Sequence, residues 1–357
     1  MLEFNAGRSV GHFPHYARAL EQALDNWQLT VWAPYRDGWA WQRRPWSWLQ
    51  KLFLGWRAFH PPRGRTRVVI APTAFLPEKT SLCLALLPPR RDVIGAFVLR
   101  RTGAGRWDLP ITRIVVGTLI RRGWLYPVSD SRLVLREWER RTGMPGAEVA
   151  IPPPPGASVP PSVVRRDGPT LAFLGSLRTE KGAAHYGTII RSALDHLPNV
   201  TVHVQLGGGT AGDGSLAIAD RLRSEWQGHP AVHLHEGYLA DDEYGRLLAG
   251  ADVVVLPYEA ASYGTGTSGV LHEALALGVT VLTTPFPWAM ERYADHPQVR
   301  FLENLEPSTL ERELQSAARA AVSRRADPPP TGAEFQRDWD RAIEGALERL
   351  RRRARSI

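Results

Sequence analysis

Disulfide chemistry is closed to this chain. Its 357 residues include one cysteine, Cys83, so neither an internal disulfide nor a cysteine-rich metal site can form, and a reducing compartment is expected. Cys83 lies in the apolar run 81–88, which reads as a strand or a helix, and there a thiol is a small inert hydrophobe. Long apolar runs are missing as well. None reaches the roughly 18 residues needed to span a bilayer, and no signal-like segment follows Met1, so the expected location is cytoplasmic. Zinc-finger spacing, an RNP-type strand and a recognition helix are all lacking, which leaves no reader of nucleic acid. What the chain does have is 43% apolar content, enough for two α/β domains with a core each. Its formal charge of +8 is uneven: residues 1–160 hold 23 Lys+Arg against 11 Asp+Glu, and residues 161–357 hold 21 against 25. The basic half is the candidate for an anionic surface, either acidic lipid or a polyphosphate-linked acceptor.

Residues 252–285 carry the densest local signal. A β-branched run ends at Pro257, as suits a strand buried on both faces of a parallel sheet. After a loop, Thr267 and Ser268 precede Gly269, and Val270, Leu271, Ala274 and Leu275 recur at helical spacing until Gly278 supplies a left-handed stop. A helix that starts just after a strand aims free N–H groups and the positive dipole end into the crevice where open α/β sheets bind ligands, so phosphate belongs there. Gly264, Gly266 and Gly269 let a diphosphate approach the backbone, and Glu273 is placed to accept bonds from a sugar diol. The plainer reading is an ordinary βαβ turn whose glycines serve tight geometry alone.

Upstream, the strand at 170–174 leads into the turn 175–182 (GSLRTEKG) and a helix from about Ala184. Arg178 and Lys181, three residues apart and flanked by Gly175 and Gly182, have the spacing to grip a diphosphate leaving group; the alternative is two solvated loop charges. Each charge-assisted bond of this kind contributes roughly 1.5–3 kcal/mol.

These motifs resemble the nucleotide-sugar site of GT-B glycosyltransferases, most closely the retaining group called glycosyltransferase family 4. That group carries Glu, seven residues, then a second Glu opening a helix; Glu273-Ala-Leu-Ala-Leu-Gly278 matches the second half, and the first Glu falls on Thr265. This departure alters the usual contact with the donor sugar's hydroxyls. The turn 175–182 is similar to the group's Gly, Arg, Lys-Gly motif, whose cations neutralise the departing nucleotide diphosphate. The glycine loop and helix near the start resemble the group's first loop, so Gly11 and His15 are implied to face the donor sugar. Gly237 and Tyr238 correspond to backbone beside the base. What the resemblance implies is an α/β chain of GT-B fold, two Rossmann-like doubly wound domains facing a central cleft. Its activity would be metal-independent, cofactor-free transfer of a sugar, of hexosyl type, from a nucleotide-diphosphate donor to a saccharide or lipid-linked acceptor in polysaccharide or glycoconjugate biosynthesis. Catalytic residues would be His15, Arg178 and Lys181. Donor-binding residues would be Gly11, Gly175, Gly237, Tyr238, Thr265, Ser268, Gly269, Val270 and Glu273.

The remaining chain is read in that light. Residues 1–5 are a strand short enough that the natural start is expected slightly upstream, and 17–24 are a helix. Residues 27–33 read as a strand. Between Trp27 and Trp56 lie seven of the thirteen tryptophans, interleaved with Arg36, Arg43, Arg44, Lys51 and Arg57. Over 47–59, Trp48, Leu52, Trp56 and Phe59 fall on one helical face, so the Trp/Arg-rich stretch 36–59 suits the headgroup layer of an anionic membrane, or else a helix packed in the first domain. Residues 66–72 and 125–128 read as strands and 113–117 as a further candidate element, with 129–131 capping a helix over 132–141. Six prolines between 152 and 161 mark a boundary. The expected layout is therefore a first domain over 1–155, a linker over 156–167, a nucleotide-sugar domain over 168–332 and a last helix over 333–357 returning to the first domain with a basic tail. Residues 207–212 formally fit a dinucleotide fingerprint with Glu236 downstream, a weak match in a strand that is not its domain's first. His233 and His235 alternate on a strand without carboxylate companions and read as structural. Residues 288–293 read as a lip of the site. Two rivals stay open: a nucleotide-sugar epimerase of the same fold, which needs acid and base carboxylates in a domain with only 11 acids, and a non-catalytic partner subunit binding nucleotide or membrane.

Overall fold

The computed structural model describes residues 12–24, 26–27, 56, 59–60, 67–71, 91–99, 110–152, 168–208, 214–321 and 332–355. The chain divides into two units, Met1–Pro152 together with Pro330–Ile357, and Pro153–Pro329.

The first unit is built on four parallel strands in chain order, β1 (Arg67–Ala71), β2 (Val93–Val98), β3 (Leu125–Ser129) and β4 (Ala147–Glu148). β1 and β3 lie where the sequence placed strands. The run β2, buried along its whole length, needs cover on both faces. On one face the helices Pro110–Arg121 and Arg132–Thr142 set Val116, Leu119, Ile120, Val134 and Trp138 against Val69, Val93 and Phe97, with Phe59 beside them. On the other, the helices His12–Ala23 and Gly332–Arg355 pack Tyr16, Leu20, Phe335 and Trp339 against Ile70, Ala96 and Val98. Ser131 caps Arg132–Thr142, accepting from the Val134 amide, and Gly143 ends it in the left-handed region.

Two sequence readings are sharpened here. Residues 113–117 are helical, inside Pro110–Arg121. Their β-branched run would suit a strand, but Pro110 opens the helix and Val116, Leu119 and Ile120 bury at helical spacing. The basic end of the last helix does not all project outward: Arg353 is buried and donates to the carbonyls of Gly123 (2.9 Å), Arg91 (3.2 Å) and Val93 (3.0 Å). That arginine ties the helix to the start of β2. The strand expected at 1–5, all but Trp27 of the strand expected at 27–33, the run 81–88 and the linker 156–167 lie outside the described residues, as does most of 36–59.

The second unit holds six parallel strands in the order β10-β9-β8-β5-β6-β7, where β5 is Thr170–Phe173, β6 Thr201–Gln205, β7 Val232–His235, β8 Val253–Leu256, β9 Thr280–Thr283 and β10 Val299–Phe301. From β5 the chain winds one way to β7, and from β8 the other way to β10. β5 and β8 are neighbours, with Leu171 opposite Val253, so the order reverses between them. In open sheets of this kind the crevice beyond the strand ends at such a reversal is where ligands bind. The loops leaving β5 and β8 are those at 174–182 and 257–268.

Candidate active site

Four loops meet at the C-terminal edge of the second sheet, and their backbones touch. A Cβ on Gly182 would fall on the carbonyl of Pro257, and Gly182 has φ +72°, so only glycine lets the β5 loop close onto the β8 loop. The Glu259 amide donates to the Glu180 carbonyl (3.1 Å), and His185 Nε2 is bonded to Glu259 Oε1. The Leu177 amide donates to the Gly207 carbonyl (2.7 Å), and a Cβ on Gly207 would fall on the Gly237 carbonyl. Buried Gln205 accepts the Gly175 amide at 2.8 Å. Loops after β5, β6, β7 and β8 thus form one floor.

The helix Gly269–Ala276 starts on that floor as expected, with Ser268 as its cap: Ser268 Oγ accepts the Leu271 amide at 3.1 Å. The amides of Gly269 and Val270 precede the first intrahelical bond, which makes this an anion-seeking end. Gly278, at φ +70°, follows the last turn. Tyr258 Oη lies 2.9 Å from Ser268 Oγ, and the Tyr258 ring stacks on Tyr263 with centroids 4.3 Å apart. Tyr263 Oη in turn donates to the Thr267 carbonyl at 2.7 Å. Two buried tyrosines therefore hold the segment that carries Thr265 and the cap.

Lys181 is buried, 7% exposed, and its Nζ sits 6.0 Å from the Tyr258 ring centroid. Its Nζ and the Val270 side chain both border the space beside Gly175 Cα, at 3.3 Å and 3.2 Å from where a Cβ would stand. Lys181 is thereby brought to the first turn of the Ser268-capped helix. Arg178 is half-exposed, pairs with Glu180 at 2.9 Å, and its buried Nε has no hydrogen-bond partner among the described residues. Its charge also pulls on the Tyr258 phenol, although burial dominates and pushes that phenol well up. Both cations therefore bear on the tyrosine that touches the helix cap. An arginine donor left over inside the protein is a feature an oxyanion would satisfy.

Glu273, one turn into the helix, is buried and accepts a 2.6 Å bond from Tyr244 Oη of the helix Asp241–Gly250. Tyr244 gave no sequence signal of its own. Beside Glu273, His272 is buried, bonded through Nδ1 to Tyr293 Oη at 3.1 Å, with Nε2 lacking a partner among the described residues. Burial first and Arg292 second lower its pKa to about 4, so it is neutral. Trp288 and Tyr293 are buried in a ring stack with Phe286, so 288–293 serves as packing more than as an open lip. Tyr238 is exposed beside Gly208. Glu236, the acid a dinucleotide site would need, is spent on Arg223 in a two-pronged surface pair at 2.7 and 2.8 Å. His203 Nδ1 and His235 Nε2 are 3.0 Å apart, with His233 stacked on His203. His15 lies within His12–Ala23, while its side chain and Gly11 fall outside the described residues.

Residues 168–320 match the family model described as Glycosyl transferases group 1. Among solved structures, the chain is similar to a glycosyltransferase from Rickettsia africae ESF-5, 11% identical over 93% of this chain and 88% of that one, TM-score 0.57. It is also similar to Anabaena Alr3699/HepE in complex with UDP and glucose, 12% identical over 96% and 89%, TM-score 0.58. A third is a UDP-forming α,α-trehalose-phosphate synthase from Burkholderia xenovorans with glucose-6-phosphate, 12% identical over 86% and 77%, TM-score 0.56. No curated protein matches in sequence. These likenesses establish the GT-B fold with its two Rossmann-like domains.

Proposed function

We propose that this chain, which has the GT-B fold and matches the glycosyl transferases group 1 model over 168–320, is a glycosyltransferase that moves a sugar from a nucleoside diphosphate to a saccharide or lipid-linked acceptor. The observation that carries the donor half is the buried Lys181 at the first turn of the Ser268-capped helix, with Arg178 and its unbonded Nε beside it. As the bond from the sugar's anomeric carbon to the diphosphate oxygen breaks, its electron pair goes to the diphosphate. Arg178, Lys181 and the Gly269 and Val270 amides meet that growing charge, and fixed donors of this kind stabilise a transition state without reorganising. Oxocarbenium character develops on the sugar, and an acceptor hydroxyl adds as its proton passes to the departing diphosphate oxygen, with retention if the chain follows the family 4 pattern. Thr265 then offers the sugar a hydroxyl where that pattern has a carboxylate. Gly175, Gly237, Tyr238 and Glu273 complete the donor set, with Glu273 toward the ribose. His15 and Gly11 are assigned to the sugar and acceptor.

Two of the solved relatives are described with UDP or as UDP-forming, which makes a uridine diphosphate sugar the first donor to try. Polysaccharide or glycoconjugate assembly at the cytoplasmic surface of an anionic membrane is the setting we favour. Among the described residues no helix is long and apolar enough to cross a membrane. The first unit exposes Trp56, Ile114 and Val115, and Arg121, two turns after Ile114 in the helix Pro110–Arg121, is exposed with Arg122 following it. An apolar and basic surface of this composition suits anionic headgroups.

The test is to incubate the protein with UDP- and GDP-sugars and measure binding and sugar release together. Binding with slow donor hydrolysis, accelerated transfer when an acceptor is present, is the expected result. Binding of a diphosphate with no sugar released from any donor would instead mark a non-catalytic subunit. For the membrane part, sedimentation with vesicles containing anionic lipid should exceed that with neutral vesicles; equal failure to pellet in both removes it.

A further inference from the structure

Directly after the β7 loop that carries Gly237 and Tyr238, the helix Asp241–Gly250 begins, its first turn closed by the Tyr244 amide on the Ala240 carbonyl at 2.8 Å. Tyr244 then reaches across to the neighbouring helix, where its hydroxyl donates to Glu273 Oε2 at 2.6 Å. Burial, and next the Glu273 charge, push the phenol well above its ordinary range, so it remains a protonated donor at any working pH. Glu273 is 2% exposed. A glutamate loses much rotamer freedom when ordered, and its terminal torsion is a soft rotor, so a carboxylate meant to meet two hydroxyls has to be held before they arrive. A carboxylate has about four acceptor positions, so a phenol bond and bonds from a diol are compatible on one group.

We propose that Tyr244 is a positioning residue of the donor site, fixing the Glu273 carboxylate in the orientation that accepts the ribose diol of the nucleotide. The inference rests on the donor reading above. It also brings the helix Asp241–Gly250 into the chemistry, because the β7 loop assigned to the base and the carboxylate assigned to the ribose are joined through one tyrosine. Base and ribose recognition then move together.

The experiment compares UDP and GDP with their 2′,3′-dideoxy counterparts, titrated calorimetrically into the wild-type protein and into Tyr244→Phe. The wild type should prefer the ribose form of whichever diphosphate it binds by about tenfold or more, as bonds to a charged acceptor give. In Tyr244→Phe that preference should shrink to roughly threefold or less, while affinity for the dideoxy compound changes by less than about twofold. A tyrosine that merely supports the fold would lower both affinities by one factor, or neither, and an unchanged ratio overturns the proposal. So does a wild type indifferent to the diol. Should Tyr244→Phe fail to fold, Glu273→Gln serves, since it keeps an acceptor for Tyr244: the ribose preference must fall there too, and its persistence overturns the proposal. Failure of both diphosphates to bind the wild type overturns the donor reading and this inference together, whereas an intact ratio with tight binding removes the inference alone.

Discussion

Among the described residues of the first unit, Arg121, Arg132, Arg136 and Arg140 are exposed on two helices that cover one face of its sheet, and Arg122 is exposed just past the first of them. The second unit lies in the acid-rich half of the chain, yet it buries Lys181 at a helix start and leaves Arg178 with an inward nitrogen unbonded among the described residues. The difference teaches that position, not amount, marks an anion site. An exposed arginine is already solvated and screened, and gains little from one more partner. A cation held in the interior beside unpaired amides has most of its solvation replaced, so an anion that arrives there is bound strongly.

The strongest way to break this contrast is to remove charge from each unit in turn. Lys181→Ala should lower kcat/KM for the donor by roughly 10²–10³, the loss typical of one preorganised donor, whereas Arg121→Ala should stay within about twofold. Steady-state kinetics on both variants decides. Equal effects would mean that bulk charge, not placement, attracts the donor.

Acid should also separate the units. His272 has its folded pKa lowered to about 4 against an ordinary 6.5, so between those values the unfolded chain binds a proton that the folded chain refuses. Stability is therefore unaffected above pH 6.5 and falls as pH drops toward 4, by up to about 3 kcal/mol. Urea midpoints followed through a probe in the second unit should show this slope, and His272→Phe should flatten it.

In the first unit the matching buried group is Arg353, held by three backbone carbonyls. Arg353→Met should cost about 2 kcal/mol of that unit's stability by leaving those carbonyls short of a donor, while donor affinity is untouched. Coupled losses of stability and affinity would erase the distinction between the units. The smallest expected effect is Tyr263→Phe, which removes the bond to the Thr267 carbonyl. It should weaken donor binding by about 1 kcal/mol, roughly fivefold in Kd, with little change in thermal stability.

The same contrast governs how much was legible in the sequence. Strand, cap and stop around Ser268 and Gly278 are local devices written in adjacent residues, and the helix Gly269–Ala276 lies where they put it. The turn carrying Arg178 and Lys181 is equally local. What joins them is not: Tyr258, Tyr263 and Tyr244 look like core aromatics, and only the packing shows their hydroxyls on Ser268, Thr267 and Glu273. In the first unit local signals were insufficient. The run Ile114-Val-Val has strand-forming residues but is helical, since its burial period is set by neighbours remote in sequence. The central strand β2 hid between basic residues, and Arg353 read as a tail charge because its three partners lie some 230–260 positions away.

The claim on which the rest depends is that Arg178 and Lys181 share one diphosphate with the amides at Gly269 and Val270. Calorimetric titration of UDP and GDP into the wild type and into the Arg178→Ala/Lys181→Ala double variant measures it directly. The account predicts micromolar-range or tighter binding of one diphosphate, weakened by about 100-fold or more in the double variant. An unaltered affinity in the double variant would contradict it.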